Sequence, residues 1–473
     1  MAKGAAPQIK FGTDGWRGVI AEDFTFANIE KVALAAARYF KNVARKKKGK
    51  PLLVIGYDAR FLSREFGERT AHVAGNAGLQ VKIADTISAT PMVSLMTKNL
   101  HAAGGVVITA SHNPPKYNGF KLKGNFGGPS HPEEIEKVET HLAKILKKPA
   151  IPRMRSLQQL VEKGTVEYID MTEMYLQDIQ YKLDIKRIVD SGIRILHDAM
   201  YGAGMNVLNR IVPSARQLHA TYNPSFAGIN PEPLEKNLIE LSTKVQSEGY
   251  HIGIATDGDA DRVGAVDERG MYVDSHRIFS LLLKYLVEHK GYRGDVVKSF
   301  TVTDIVDKQC AKYGLKLHTT PVGFKYICRL MTDGDVLVGG EESGGMGVKG
   351  HIPERDGIYV GLLLCEMMNE RQKRLSELVQ ELFDEFGERH YRRIDHHITP
   401  KEKTAIMKKF SARMKFLAGY PVTNVETIDG FKYYIDNGWL LVRPSGTEPL
   451  VRFYAEADSV EKAEKMLQVA MQQ

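Results

Sequence analysis

Residues 105–115 read GVVITASHNPP, an apolar run that opens into a short polar segment closed by two prolines. The run has the composition of a buried strand, and the Asn-Pro-Pro ending is typical of a turn, so we expect Ser111 on a rigid loop at a strand end. Catalytic groups collect at strand ends in α/β sheets. A Ser in this setting also fits simple turn or cap chemistry, so its meaning depends on the rest of the chain.

The bulk composition indicates a water-soluble protein of several domains. At 473 residues the chain is too long for one core, and 43% hydrophobic with 26% charged residues is an ordinary globular composition. No apolar run reaches the roughly 20 residues that span a bilayer, and residues 1–10 lack a signal-peptide core. Three widely spaced cysteines, Cys310, Cys328 and Cys365, predict neither a disulfide framework nor a zinc site. We therefore expect a cytoplasmic protein with no membrane partner.

The net charge of +8 does not by itself indicate nucleic-acid binding. Basic residues are spread along the chain, and the densest cluster, residues 45–50, falls at a predicted helix end, where cations complement the helix dipole. No patch combines basic and aromatic residues. A basic surface does raise the local concentration of a small phosphorylated substrate, so we expect no nucleic-acid partner.

Strand-like and helix-like segments alternate, which predicts an α/β protein with mixed or parallel sheets. Residues 52–56 (LLVIG) predict a buried strand, and residues 25–47 and 460–470 predict amphipathic helices. We predict four domains, at residues 1–154, 155–270, 271–390 and 391–473. In each domain an apolar strand opens into a polar or Gly-rich loop, and the first of these loops is residues 109–115.

The second loop, residues 256–262 (TDGDADR), follows the apolar run HIGIA and carries Asp257, Asp259 and Asp261. Carboxylates at i, i+2 and i+4 can converge on one side of an extended or turning backbone. Oxygen-only ligands favour Mg²⁺, which usually completes its shell with phosphate or water. An acidic surface cluster without a metal is the alternative. A Mg²⁺ site beside a strand-end Ser is typical of phosphoryl transfer.

Two other readings of the second loop fit less well. An EF-hand would need Gly at the sixth position, where this chain has Arg262, and a helix before the loop. A haloacid-dehalogenase-type Asp nucleophile would need Thr or Val at the position of Asp261.

The third and fourth loops carry groups suited to a sugar phosphate. The third loop, residues 339–345 (GGEESGG), offers Glu342 and Ser343 for sugar hydroxyls, although Gly-rich loops also mark plain turns. The fourth loop, residues 443–449 (RPSGTEP), predicts a phosphate cradle. Its candidate residues are Arg443, Ser445, Gly446 and Thr447, with Arg452 just beyond. The chain has no Walker motif, so a nucleotide is not predicted.

In this order the four loops resemble those of the α-D-phosphohexomutase family, the phosphoglucomutases and phosphomannomutases. Residues 11–18 (FGTDGWRG) are similar to the family's opening motif, and residues 198–204 (DAMYGAG) and 230–233 (NPEP) to its second-domain motifs. The resemblance covers nearly the whole chain. It implies three similar mixed α/β domains and a smaller C-terminal α+β domain around a central cleft.

The resemblance also implies a mechanism. Ser111 would carry a phosphoryl group, whose oxygens complete a Mg²⁺ site with Asp257, Asp259 and Asp261. It would give that group to a hexose monophosphate, and the resulting hexose 1,6-bisphosphate would turn round and return its other phosphate to Ser111. Glucose 1,6-bisphosphate is the expected activator.

Further residues match family positions. Lys121, in NGFK at 118–121, matches a Lys proposed as general acid/base, a role that requires a lowered pKa; otherwise it is an electrostatic clamp. Arg17, His112 and Arg262 match positions near the phosphoryl group, although a surface ion pair or a loop-orienting role also fits such residues. The resemblance assigns the ring hydroxyls to the third loop and the distal phosphate to the fourth.

Two departures bear on the sugar. Many dual-specificity members end the third loop in Ser-Gly-His, whereas this chain has Gly345, and Phe324 and Lys325 stand where those enzymes often carry His. Both favour a phosphoglucomutase, in which Lys325 would contact the substrate, although a solvent-exposed Lys is the ordinary alternative. A phosphomannomutase or a broad phosphohexose or phosphopentose mutase is the alternative, and the loop patterns disfavour a phosphoglucosamine mutase.

Two other classes of protein are weaker alternatives. A non-catalytic sugar-phosphate binder would not need Ser111 together with three Asp residues. A Ser-dependent phosphatase would need a water-activating base and would lose the bisphosphate. We expect a monomer or small homo-oligomer.

Overall fold

The computed structural model describes residues 9–12, 14–46, 48–49, 51–147, 154–412, 414–445 and 450–472. Four main sheets follow one another along the chain, the first three mixed and the fourth antiparallel, each with helices packed against it. This arrangement confirms the predicted fold class.

The first sheet has the strand order β1-β5-β4-β2-β3-β7, with β6 paired to β5, and its four neighbours β4, β2, β3 and β7 run parallel. Its strands are β1 (Trp16–Val19), β2 (Leu52–Tyr57), β3 (Gln80–Ala84), β4 (Gly104–Ile108), β5 (Tyr117–Gly124), β6 (Gly128–Pro129) and β7 (Val166–Ile169). The helices of this region are α1 (Phe26–Lys46), α2 (Ser63–Asn76), α3 (Thr90–Asn99), α4 (Pro132–Lys147) and α5 (Leu157–Glu162).

The second sheet has the order β12-β11-β10-β8-β9, in which β10, β8 and β9 are parallel and β11 and β12 are antiparallel to their neighbours. Its strands are β8 (Ile195–Asp198), β9 (Arg216–Leu218), β10 (Ile252–Thr256), β11 (Val263–Asp267) and β12 (Tyr272–Val273). The helices are α6 (Met171–Lys182), α7 (Ile185–Asp190), α8 (Leu208–Ile211) and α9 (Ile239–Ser247).

The third sheet has the order β14-β13-β15-β16, and only β16 is antiparallel to its neighbour. Its strands are β13 (Asp295–Ser299), β14 (Leu317–Thr320), β15 (Val336–Gly340) and β16 (Met346–Val348). The helices are α10 (Ser275–Glu288), α11 (Ile305–Tyr313), α12 (Phe324–Asp333), α13 (Gly357–Arg371) and α14 (Leu375–Phe386).

The fourth sheet is antiparallel throughout, in the order β17-β23-β22-β21-β20. Its strands are β17 (His390–His397), β20 (Asn424–Glu426), β21 (Phe431–Ile435), β22 (Gly438–Pro444) and β23 (Leu450–Ala457), and a separate hairpin is formed by β18 (Phe416–Leu417) and β19 (Tyr420–Pro421). The helices are α15 (Pro400–Ser411) and α16 (Val460–Met471).

The sheets differ from the predicted domain boundaries in two places. Strand β7, which a boundary at 154/155 assigns to the second domain, pairs with β3 of the first sheet, and β12 lies beyond the boundary at 270/271 but pairs with β11. Both strands cover a sheet edge whose backbone groups would otherwise lack partners. The first sheet therefore extends to Ile169 and the second to Val273, beyond the predicted boundaries.

The predicted loops share one topology. In each of the first three sheets a buried strand (β4, β10 or β15) runs through its loop into an antiparallel neighbour (β5, β11 or β16), and the fourth loop joins β22 to β23 in the same way. All four loops are thus tips of β–loop–β connections.

The three cysteines are buried and form no disulfide. Among the described residues, no helix combines the length and apolar character that a membrane crossing would need.

Candidate active site

Ser111 is held in an unusual backbone conformation. Its φ of 53° lies in the left-handed region, and the residue is 1% exposed. A non-Gly residue reaches this region only where its surroundings hold it. The Ser111 amide donates to Thr109 Oγ1 at 2.8 Å, and its hydroxyl donates to Asp257 Oδ2 at 2.7 Å. The side chain is therefore aimed at the second loop.

The first and second loops pack directly against each other. A Cβ added to Gly258 would lie 2.3 Å from the carbonyl oxygen of Ser111, so a side chain at residue 258 would separate the loops. Gly258 is required here for close backbone approach rather than for a positive φ.

The three aspartates of the second loop converge as predicted. Asp257, Asp259 and Asp261 are fully buried, and each offers a carboxylate oxygen within 4.8 Å of the other two. Burial and the neighbouring charges of Asp259 and Asp261 raise the pKa of Asp257 well above its usual range. Burial also raises the pKa of Asp259, but contacts with Lys121 and Thr90 hold it below its ordinary value.

This cluster fits a hard divalent cation. Within the described part of the chain, Asp259 Oδ1 and Asp261 Oδ1 are buried without a hydrogen-bond partner, which is costly for a charged oxygen. Both atoms belong to an oxygen-only donor set, the kind that Mg²⁺ prefers. An exposed acidic cluster, the alternative reading of this loop, does not describe these buried carboxylates.

Lys121 lies among these acids. Its ammonium is 2.7 Å from Asp14, 2.8 Å from Asp259 and 3.2 Å from Asp261. Burial lowers the pKa of Lys121, but the three carboxylates outweigh burial and raise it above its usual value. In these surroundings Lys121 is a fixed positive charge, which fits the clamp role better than that of a base.

Arg355 connects the three mixed sheets at the same point. Its guanidinium is 2.7 Å from both Asp14 and Asp261 and 3.8 Å from Glu341 of the third loop. It is 4% exposed, and these three carboxylates come from the regions of three different sheets. A fourth carboxylate, that of the adjacent Glu354, lies 3.7 Å from Arg355 Nε. The sequence analysis missed both Arg355 and Asp14.

Two of the three residues expected near the phosphoryl group, His112 and Arg17, lie at the first loop. His112 Nδ1 is 3.4 Å from Ser111 Oγ, and burial together with nearby Arg262 and Arg17 lowers the pKa of His112 well below its usual value. Arg17, on β1, donates to Asn113 Oδ1, and burial lowers its pKa.

Arg262 projects from the end of the second loop. Its guanidinium lies 3.0 Å from Glu232, in the NPEP segment, and 4.0 Å from both Asp257 and Asp261. Arg262 is 8% exposed, so the alternative interpretation of this residue as part of a surface ion pair does not apply.

In the third loop the two adjacent glutamates point to different partners. Glu341 is buried and accepts from the amide of Gly323 at 2.9 Å, and burial raises its pKa to about 7. Glu342 is half-buried and accepts from Thr301 Oγ1 at 2.5 Å. Ser343 is also half-buried. Glu342 and Ser343, rather than Glu341, therefore remain the candidates for a ligand.

The fourth loop is described in part. Arg443 and Arg452 are opposite each other on β22 and β23, and their Nε atoms lie 2.7 Å from Asp429 and 3.6 Å from Asp395. Ser445 is buried, and its carbonyl accepts from Lys403. Gly446 and Thr447 lie outside the described residues.

Hydrogen bonds join the four loops in series. Ser111 contacts Asp257, and the amide of Val263, just after the second loop, donates to Gly344 of the third at 3.1 Å. Asp429 accepts from Arg443 of the fourth loop and, at 3.0 Å, from the amide of Val322. The next residue, Gly323, donates to Glu341 of the third loop. The structure thus brings the described parts of all four loops together.

Lys325, on the same segment as Val322, is half-buried, and burial lowers its pKa.

Comparisons with known proteins agree with this arrangement. The chain matches the family descriptions for phosphoglucomutase/phosphomannomutase alpha/beta/alpha domains I, II and III over residues 8–149, 173–270 and 274–386, and the C-terminal domain over 397–472. It is 30% identical to a phosphoglucomutase/phosphomannomutase of Thermococcus kodakarensis, covering 98% of this chain and 97% of that protein. The chain belongs to the α-D-phosphohexomutase family.

Other relatives of the chain are named for activity on different sugars. A phosphoglucosamine mutase of Halalkalibacterium halodurans is 33% identical over 95% of both chains. A crystal structure of a Thermus thermophilus protein assigned as a phosphomannomutase superposes with a TM-score of 0.85 at 35% identity, covering 99% of each chain. Phosphoglucosamine mutases are about as similar as the other named relatives, so overall similarity does not choose among these sugars.

The position of Gly345 in this phosphohexomutase has a physical explanation. A Cβ at Gly345 would lie 2.3 Å from Cδ of Arg355. Arg355 therefore occupies the space into which a His at the end of the third loop would project.

A second residue that the sequence analysis missed lies under the first loop. Arg60 is 1% exposed and donates to the carbonyl oxygens of Ser111, Asn113, Pro114 and Tyr117. It follows the buried strand β2 as Ser111 follows β4, and this position at a strand end was the available signal.

Proposed function

We propose that this phosphohexomutase interconverts hexose 1-phosphates and hexose 6-phosphates, with glucose as its preferred sugar, through a phosphoserine at Ser111. The observation that carries the proposal is the 2.7 Å hydrogen bond from Ser111 Oγ to Asp257, inside a buried cluster of three carboxylates. A hydroxyl held at a strand end against a hard-cation site is suited to phosphoryl transfer.

Asp257, Asp259 and Asp261, with a phosphate oxygen on Ser111, would hold Mg²⁺. When bound, the ion offsets negative charge on the transferring phosphoryl group. Lys121, Arg17 and His112 surround the same point, and we assign them to binding and orienting that group.

The proposed reaction has two transfers that mirror each other. In the first, the phosphorus–Oγ bond of phosphorylated Ser111 breaks as a bond to a sugar hydroxyl oxygen forms, and the hydroxyl proton is released. The product is a hexose 1,6-bisphosphate. In the second, its other phosphoryl group returns to Ser111 Oγ, and the sugar oxygen that it leaves takes up a proton.

Substrate binding in this proposal uses contacts that serve both orientations of the sugar. Glu342 and Ser343 would bind ring hydroxyls, and Arg262 and Lys325 would contact the phosphosugar at the edge of the cleft. The distal phosphate would bind Arg443, Ser445, Gly446, Thr447 and Arg452. Arginines suit this role because a guanidinium donates to two phosphate oxygens at once.

The sugar can be tested directly. A coupled assay compares glucose, mannose, glucosamine and ribose 1-phosphates with Mg²⁺ and a trace of glucose 1,6-bisphosphate. We expect the highest kcat/KM with glucose 1-phosphate. A higher value with mannose, glucosamine or ribose would replace the sugar but keep the mutase, and no interconversion of any of them would reject the function.

Phosphorus NMR of the purified protein provides an independent test of the carrier. We expect a phosphoserine resonance that disappears after incubation with excess hexose monophosphate. Its absence after treatment with glucose 1,6-bisphosphate would argue against phosphoserine chemistry.

A further inference from the structure

Arg60 binds three carbonyl groups of the first loop, and that of Tyr117 at the start of β5, with one guanidinium. The donor–acceptor distances are 2.6 Å to Ser111 O, 2.6 Å to Asn113 O, 2.9 Å to Pro114 O and 3.0 Å to Tyr117 O. Four carbonyl dipoles that point at one place repel each other without a cation. Arg60 therefore stabilises the loop conformation that places Ser111 in the left-handed region.

Only a guanidinium suits this position. Its planar fork presents five N–H donors in fixed directions, whereas an ammonium has three donors on a flexible stem. The charge of Arg60 is balanced by Asp58, 3.2 Å away and also buried. Asp58 is in turn fixed by Ser63 Oγ at 2.7 Å and by the backbone amide of Arg60 at 3.0 Å.

Phe226, from the region of the second sheet, covers the Arg60 guanidinium. The ring of Phe226 lies 4.9 Å from the Arg60 guanidinium carbon, and Phe226 is 1% exposed. Phe226 and Ala227 have φ values of 50° and 51°, two successive non-Gly residues in the left-handed region. Such conformations are strained and persist only where the surroundings hold them. The strain is located at the residue whose ring meets Arg60.

We propose that Arg60 and Phe226 form a positioning pair that fixes Ser111 Oγ for phosphoryl transfer, Arg60 through the loop carbonyls and Phe226 by packing on Arg60. This inference rests on the proposed function. Neither side chain is among the residues assigned to the substrate or the metal. Because the two side chains come from different regions, the geometry of the first loop depends on contact between the regions of the first and second sheets.

The test compares Arg60→Lys and Phe226→Leu with a matched pair elsewhere. Arg69 lies 5.3 Å from the ring of Phe26 in the first region, so Arg69→Lys and Phe26→Leu make the same chemical changes away from the site. A misplacement of about 1 Å at reacting atoms lowers rates about 100-fold. We expect kcat to fall about 100-fold in Arg60→Lys and about tenfold in Phe226→Leu, with KM within about twofold of wild type.

The control variants are expected to keep kcat within about twofold. Single-turnover phosphorylation of Ser111 by glucose 1,6-bisphosphate should slow by the same factors as kcat, which a general loss of folded protein would not produce. In Arg60→Ala, added guanidinium ion at low millimolar concentration should restore part of kcat, while it does nothing for Arg69→Ala.

Wild-type kcat in Phe226→Leu and Arg60→Lys, with an active wild-type enzyme, would overturn this inference and leave the proposed function intact. Equal losses in the control pair would also overturn it. If Arg60→Lys does not fold, the Phe226→Leu result decides, because that variant keeps the buried ion pair. A wild-type protein inactive on every sugar would overturn both proposals.

Discussion

The first and third loops have the same topology but are held in different ways. Around Ser111 the backbone is fixed on every side, by Arg60 under the carbonyls, by Thr109 on the amide and by Gly258 against the carbonyl face. In the third loop Glu341 is buried, whereas the side chains of Glu342 and Ser343 stay half-buried. In the proposed function, this is the difference between a site that transfers a phosphoryl group and a site that accepts a sugar in two orientations.

Among the variants that test this difference between the two loops, Ser111→Ala should have the largest effect on activity. Without the hydroxyl no phosphoryl carrier remains, so mutase activity should fall by about 10⁴-fold or more, as for the removal of a catalytic nucleophile. The coupled assay measures the loss. Ser214→Ala, at an exposed position, is the matched control and should retain activity. A Ser111→Ala protein with full activity would reject the mechanism.

Asp261→Asn should have the next largest effect. The change removes one charged oxygen from the cluster, and we expect kcat/KM to fall about 10³-fold at fixed Mg²⁺, or about 4 kcal/mol. Mg²⁺ at 100 times its Kd should stabilise the wild-type fold by about 2.7 kcal/mol, and this gain should shrink in the variant. Thermal unfolding with Mg²⁺ and with EDTA measures it, with Asp190→Asn, an exposed ion-pair residue, as control. No Mg²⁺-dependent shift in the wild type would contradict the metal site.

The pKa of the buried Glu341 should make the stability of the protein depend on pH. Burial raises this pKa from 4.5 to about 7, so the folded state binds the proton more tightly than the unfolded state. The resulting stabilisation is complete below about pH 4.5 and is lost as the pH rises to about 7, a change of about 3 kcal/mol. Glu341→Gln removes this dependence.

The measurement is the free energy of urea unfolding at pH 5 and pH 7.5 for both proteins. Wild type should lose more stability than Glu341→Gln between these values. Parallel pH profiles would mean that Glu341 ionises normally in the folded protein.

The smallest effect is expected at Glu342, the half-buried neighbour. Glu342→Gln keeps an acceptor for Thr301 but removes the charge, so kcat/KM should fall about tenfold and the ratio of activities on glucose and mannose phosphates should change. Glu341→Gln should leave that ratio unaltered. If the two variants change the ratio equally, the contrast between the adjacent glutamates does not hold.

Much of the architecture could be predicted because it depends on neighbouring residues. Strand β2 and helices α1 and α16 follow apolar patterns that are read within one segment, and each loop follows an apolar run. The convergence of Asp257, Asp259 and Asp261 was also predictable, because residues at alternate positions share a side of the chain.

Other features had no local signal. Strand β7 joins the first sheet after a long excursion of the chain, and nothing in its own residues indicates which edge it covers. Arg355 looks like an ordinary surface arginine in the sequence. Arg60 follows a predicted strand, but only its burial among carbonyl groups reveals its role. The opposite environments of Glu341 and Glu342 depend on which backbone amide and which hydroxyl lie nearby.

The sequence by itself determined the four loops, the residue types that they carry and the family, because turn residues, strand runs and motif order are properties of short segments. Only the tertiary structure decided that Ser111 donates a hydrogen bond to Asp257, 146 residues away. It also decided that Phe226 packs on Arg60 beneath the first loop. The reason is physical: a left-handed serine and a cluster of buried carboxylates are unfavourable alone. They become stable only where packing of separate sheets supplies the cations and hydrogen-bond donors that offset their cost.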